Sequence, residues 1–208
     1  MKFIVFVEGH TENKALSQFL KKWLDPKLPK PVGIKTVRFE GWPELIKDAP
    51  LKAKMHLEGP EKNDVIAVIS LLDLYGPSFY PTHLQESKER YQWAKNEIEG
   101  KVNEARFFQF FAVHEVEAWL LSDPNIFPAN VKKAFPKKIS HPEAVNFNEP
   151  PGKLLERLYP LHVGRSYKKV VNGQDLFGRL DPEIAYNKCP SLKMLLDKML
   201  DLAQNFNH

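Results

Sequence analysis

The sequence predicts an α/β protein: a parallel sheet of about four strands flanked by helices, followed by a mainly helical C-terminal extension. Three observations carry that expectation. Short β-branched and aromatic runs alternate with helically spaced segments through residues 1–123. The run Asp64–Leu72 is nearly all apolar, as a central strand buried on both faces must be. Beyond Pro124 prolines are frequent and strand patterns stop.

Lys2–Val7 reads as a buried strand. Thr11 is placed to cap the next helix, with Glu12 near its positive end. In Lys14–Leu24 the residues Ala15, Leu16, Phe19, Leu20, Trp23 and Leu24 recur at helical spacing, so one face packs inward. Pro26, Pro29 and Pro31 end that helix. Ile34–Phe39 is a second strand, and Pro43 opens a second helix running to about Leu57, which Pro50 is expected to kink or split. Asp64–Leu72 is the third strand, ended by Asp73; Leu84–Glu99 is a polar, exposed helix. Arg106–Val113 is the fourth strand, and Glu115–Leu121 starts a helix that stops before Asp123-Pro124. Strands alternating with helices imply right-handed crossovers. The chain therefore divides into an α/β domain, 1–123, and a basic helical extension, 124–208, packed on it. In the extension, helices are expected at Gly152–Tyr159, Lys168–Leu180 and Ser191–Gln204, with Phe127–Pro151 irregular.

Composition bounds the function. In 208 residues, 43% are apolar and 27% charged, enough for a real core under an ordinary soluble surface. No stretch approaches the ~18 apolar residues of a membrane span, and the opening apolar run stops at Glu8, too short for a signal-peptide core. The single Cys189 excludes an internal disulfide framework and a multi-cysteine zinc site, and a reducing cytoplasm is the expected location. Residues 1–123 hold 17 Lys and Arg against 18 Asp and Glu, whereas residues 124–208 hold 13 against 8. A near-neutral half beside a basic half suits a polyanion, although an uneven solubilising surface has the same composition.

Ligands of an open parallel sheet bind beyond the carboxyl ends of its strands. Acidic residues stand at three such ends: Glu8 after the first strand, Asp73 after the third, Glu115 and Glu117 after the fourth. Crowded carboxylates repel, so such a group holds a cation or shares protons. Oxygen ligands suit Mg²⁺ or Mn²⁺, and a metal so held serves phosphoryl transfer. Taken singly, each residue is equally a turn former or a cap. His114-Glu115-Val116-Glu117 lacks the second histidine of H-E-x-x-H, since Ala118 stands there, so a zinc protease is not expected. Arg165, Lys168 and Lys169 form the best phosphate-contacting cluster, with Tyr167 able to stack on a base; a solvated helix start accounts for them equally. His10, beside Glu8, is a further phosphate-contact candidate, and His114 a candidate for orienting a carboxylate. No P-loop, nucleophile elbow or dinucleotide fingerprint is present, so ATP hydrolysis by this chain alone is not expected.

The segments Val7-Glu8-Gly9-His10-Thr11-Glu12, Asp73-Leu74-Tyr75-Gly76 and His114-Glu115-Val116-Glu117-Ala118-Trp119, the last continuing to Pro124, closely resemble a bacterial domain-of-unknown-function family of small Toprim-like proteins. That family is related to OLD-type Toprim nucleases. Ser166-Tyr167-Lys168-Lys169 and Cys189-Pro190 resemble its C-terminal pattern. The resemblance implies a Toprim-like core in which Glu8 is general acid/base or metal ligand and Asp73 binds Mg²⁺. The chain departs from the Asp-x-Asp motif at Tyr75, where a second aspartate would stand. Glu115 or Glu117 would replace that ligand, or the site would be weak or inactive. Relatives are often encoded beside an ABC- or AAA-type ATPase in settings that suggest phage defence. The expected activity is Mg²⁺- or Mn²⁺-dependent cleavage of DNA or RNA phosphodiesters. A catalytically weak binding or regulatory subunit of an ATPase complex is the alternative of a different class. The same carboxylates would also serve hydrolysis of a small phosphate ester.

Overall fold

The computed structural model describes residues 1–9, 11–135, 139–144 and 149–206, residues 11–14 by backbone alone. Four parallel strands form one sheet: β1 (Lys2–Glu8), β2 (Gly33–Phe39), β3 (Val65–Asp73) and β4 (Phe107–Ala112), in the spatial order β2-β1-β3-β4. The two central strands are the most apolar. In β3 every residue before Asp73 is buried, and in β1 Phe3–Val7 are. Parallel pairing requires crossovers, supplied by α1 (Thr11–Leu24), α2 (Trp42–Glu58) and α3 (Ser87–Val102).

The helices divide between the faces. One face of the sheet, with Ile4, Phe6, Val68, Leu72 and Phe111, is covered by α2 through Leu45, Ala49, Ala53 and Leu57 and by α3 through Ala94, Ile98 and Val102. The spacing in α2 is i, i+4 throughout, and the helix runs unbroken past Pro50. Pro50 was expected to kink or split it. The missing backbone donor costs one hydrogen bond, whereas the Leu45–Leu57 stripe keeps both halves on the sheet. The polar helix expected at Leu84–Glu99 forms three residues later and carries its own apolar stripe.

The opposite face, with Phe3, Val5, Val7, Ile69 and Leu71, packs in a single apolar cluster that reaches from α1 to Ala203 near the C-terminus. Around it lie α4 (Glu117–Leu120), α5 (Ala129–Ala134), α6 (Pro151–Val163), α7 (Gln174–Arg179), α8 (Pro182–Lys188) and α9 (Pro190–Asn205). Phe19 of α1 lies against Trp119 and Phe177, and Trp23 stacks on Tyr186. Two details differ from expectation. Residues 127–151, expected to be irregular, contain α5 and a 3₁₀ turn at Pro142–Ala144 among the described residues. The helix expected at Lys168–Leu180 opens with a π-type turn, Lys169–Gly173, before α7. No helix among the described residues is long and apolar enough to cross a membrane.

The 3₁₀ turn has a structural use. Glu143 accepts hydrogen bonds from the backbone N–H groups of Ser191 (2.8 Å) and Leu192 (3.2 Å), closing the N-terminus of α9. Glu143→Ala is expected to cost about 1–3 kcal/mol, measured as a lowered urea midpoint with unchanged slope.

Candidate active site at the carboxyl edge of the sheet

Topology brings the acidic residues to one rim. The neighbouring strands β1 and β3 end at Glu8 and Asp73, and Asp73 pairs with Ala112 of β4. The ladder continues past the strands: Leu74 N–H donates to Ala112 O and Tyr75 N–H to His114 O, both at 2.9 Å. His114 then turns the chain with a φ of 65°, a value few non-glycine residues adopt. That turn puts Glu115 and Glu117 beside Asp73 rather than further along the strand axis.

Each carboxylate is positioned by backbone. Asp73 Oδ1 accepts from Val116 N–H at 3.0 Å, tying the third strand's end to the segment leading into α4. Glu115 Oε2 accepts from Gly152 N–H at 2.7 Å, at the start of α6. A Cβ at position 152 would lie 2.7 Å from the same oxygen, so a larger residue there would displace the Glu115 carboxylate. Glu8 accepts from the backbone N–H of Trp42 at the start of α2, where Gly41 makes the turn at a φ of 127°. Glu117 is 1% exposed.

The cation at the centre is Lys169. Its ammonium lies 3.2 Å from Glu117 Oε2 and 3.8 Å from Glu115 Oε1. Burial works to lower the pKa of this lysine, and Glu117, Asp73 and Glu115 outweigh it, so the ammonium is held charged above its usual range. Burial pushes Glu8 up, opposed by the Trp42 N–H and by Lys169. Burial likewise raises Glu117, opposed by Lys169 and reinforced by Glu115. One ammonium therefore faces four carboxylates that feel its charge or shift it. Among the described residues, the carboxylates there outnumber that ammonium.

That imbalance tests the fit of a divalent cation. The donors are all hard oxygens, two of them desolvated and raised in pKa, which suits Mg²⁺ or Mn²⁺ by chemistry. By spacing, no three acidic, histidine or cysteine side chains among the described residues lie close enough to hold an ion as they stand. Lys169 takes the central place instead.

Other candidates separate. Lys168 and Arg165 are exposed, whereas the adjacent Lys169 turns inward, so the basic cluster is split between solvent and the acidic rim. Tyr167 does not present a ring for stacking; it is buried against Tyr159, ring centroids 5.1 Å apart. His114 is buried, its pKa lowered by that burial against the pull of Glu115, and its ring bonds the backbone of Glu143. Tyr75 is 43% exposed at the rim. His10 lies outside the described residues. Cys189 is buried and its thiol is pushed far up by burial, as suits a packing role.

Tyr80 is a site residue that the sequence reading passed over. Its hydroxyl donates to Leu74 O at 3.0 Å, directly after Asp73. Burial raises its pKa, opposed by Arg90 and reinforced by the charges of Glu8 and Asp73. The available signal was an aromatic residue in the Pro-containing loop following Asp73.

A family model described as "Domain of unknown function (DUF4276)" matches residues 7–200. No curated protein matches. Among solved structures, the C-terminal region of the Burkholderia pseudomallei OLD protein is similar at 18% identity, with 97% of this chain and 98% of that chain covered and a TM-score of 0.49.

Proposed function

We propose that this chain, which belongs to the DUF4276 family, is a metal-dependent nuclease that hydrolyses nucleic-acid phosphodiesters. The observation that carries the reading is the convergence of Glu8, Asp73, Glu115 and Glu117 on one ammonium at the sheet's carboxyl edge. Structural ion pairs seldom gather several carboxylates around one ammonium, because buried like charges repel. Functional sites do, since charge is completed on binding.

To hold Mg²⁺ or Mn²⁺, Glu8 and Asp73, with Glu115 and Glu117, would have to draw closer together than they stand. Bound there, the ion would polarise the phosphate and lower the pKa of an attacking water. The chain's own groups have separate tasks. The Val116 N–H keeps Asp73 in one orientation. Glu8, held up in pKa by burial, is suited to taking a proton from water. Lys169 neutralises part of the acidic rim and supplies positive charge for the phosphate oxygens. Lys168 and Arg165, exposed nearby in sequence, would hold flanking phosphates. The partner is DNA or RNA, in concert with an ABC- or AAA-type ATPase if the setting is phage defence.

The direct test is cleavage of mixed DNA and RNA in Mg²⁺ or Mn²⁺ and in chelator. Wild type is expected to cleave only with metal, and Glu8→Gln to lose about 10²-fold in kcat. Equal cleavage by wild type and Glu8→Gln removes the assigned role.

A second reading has its own motivation: Tyr75 stands where a second acidic ligand would be, and the carboxylates as they stand do not meet around an ion. On that reading the chain is a binding or regulatory subunit of an ATPase. It requires that the isolated chain bind no Mn²⁺ and that it co-purify with the ATPase.

A further inference from the structure

Beside the acidic rim lies a group of aromatic side chains packed on the margin of the core and only partly buried. Trp42 stacks on Phe79, with ring centroids 5.5 Å apart and planes at 30°. Phe79 stacks on Tyr80 at 4.7 Å and 26°. Trp93 of α3 closes on Phe79 at 5.6 Å, and the Arg90 guanidinium lies over the Tyr80 ring at 5.3 Å. All of these rings are partly exposed, unlike the fully buried aromatics Phe3, Phe6 and Trp119 of the core.

The group is tied to the site at both ends. The backbone N–H of Trp42 donates to the Glu8 carboxylate, and the Tyr80 hydroxyl donates to Leu74 O, one residue beyond Asp73. The stack therefore includes one residue whose backbone holds the Glu8 carboxylate and one whose hydroxyl anchors the chain just after Asp73. A phosphate handled at the rim would have its attached nucleoside within reach of these rings.

We infer that Trp42, Phe79, Tyr80 and Trp93, with Arg90, form a stacking platform for an unpaired nucleobase next to the reacting phosphate, so that the substrate is single-stranded nucleic acid. This rests on the nuclease reading above. Two features favour a base over another occupant. Flat rings stacked at a few tens of degrees extend naturally by one more ring, and every base offers a π face. The guanidinium adds a cation where a polyanion must pass a rim already rich in carboxylates. In a duplex the bases are stacked on each other, and using the platform would require unpairing.

The test uses the full chain with Ca²⁺ in place of Mg²⁺, following tryptophan fluorescence and the anisotropy of labelled ligands. The ligands are a short oligothymidylate, its duplex with oligoadenylate, and an abasic backbone of equal length. The expected result is quenching by oligothymidylate and binding about tenfold tighter than to the duplex or the abasic backbone. Trp42→Leu and Phe79→Leu, checked for folding by thermal unfolding, should lose about tenfold for oligothymidylate and little for the duplex. Should either variant fail to fold, the abasic comparison on wild type decides alone. Equal binding of oligothymidylate and abasic backbone by wild type overturns the platform. Cleavage in Mg²⁺ separates the two ideas. Base-independent cleavage of duplex and single strand leaves the nuclease reading standing and removes the platform. Base-dependent binding with no metal-dependent cleavage of any oligonucleotide removes the nuclease reading and leaves a single-strand binding surface.

Discussion

Asp73→Asn is expected to lower metal-dependent cleavage about 10³-fold in kcat, the several kcal/mol that a directly bound metal contributes to a phosphoryl transition state. The substitution is chosen because it separates charge from shape. Asp73 Oδ1 accepts the Val116 N–H at 3.0 Å, and an amide oxygen can keep that bond. The junction between β3 and the segment entering α4 is then preserved, and stability should stay within about 1 kcal/mol of wild type. Single-turnover cleavage in Mg²⁺ or Mn²⁺, paired with a urea melt, reads both quantities. Wild-type kcat in the folded variant would show that the carboxylate charge is not used in the reaction.

Lys169→Met is expected to have the largest effect on stability. Glu117 is 1% exposed, and Lys169 is the ammonium 3.2 Å from its Oε2. Removing one partner of a buried pair leaves a desolvated charge. Because the Lys169 side chain is itself 39% exposed, water reaches part of the site, and the cost is about 2–4 kcal/mol rather than the full buried-pair value. For a chain of this size that is a fall in Tm on the order of 10 °C at neutral pH. The sign with pH follows from the raised pKa of Glu117, which burial sets and which loss of the lysine raises further. The folded state then binds a proton more tightly than the unfolded state. The penalty vanishes as pH falls below the unfolded carboxyl value and returns as pH rises through the folded one. Calorimetry across pH checks this, and Glu117→Gln in the same background should recover most of the loss. A variant that melts like wild type at all pH values would mean that Glu117 finds another partner or solvent.

Much of the architecture was legible because it depends on local pattern. The continuous apolar run Asp64–Leu72 became a central strand buried on both faces, and the i, i+3, i+4 spacing of Ala15–Leu24 became the inward face of α1. Other features were masked by competing signals. Pro50 argued for a break that tertiary packing overrode. The Asp181-Pro182 start of α8 was present in the sequence, with Asp181 accepting the Glu183 N–H, but no helix was expected between Leu180 and Ser191.

The candidate site divides along the same line. Position in the sequence placed Glu8, Asp73, Glu115 and Glu117 at the sheet's carboxyl edge, since the end of a buried parallel strand comes out there. Which of two adjacent lysines faces that edge is not a property of sequence pattern. Lys168 and Lys169 have the same chemistry, and only the π-type turn, which sends Lys169 inward and leaves Lys168 in solvent, distinguishes them. The use of Gly152 against Glu115, and the aromatic stack from Trp42 to Tyr80, join residues 37 and 38 positions apart. Alternation and spacing report how a segment meets its nearest neighbours. Close approach between distant segments is set by how whole elements pack, and that information exists only once the chain has folded.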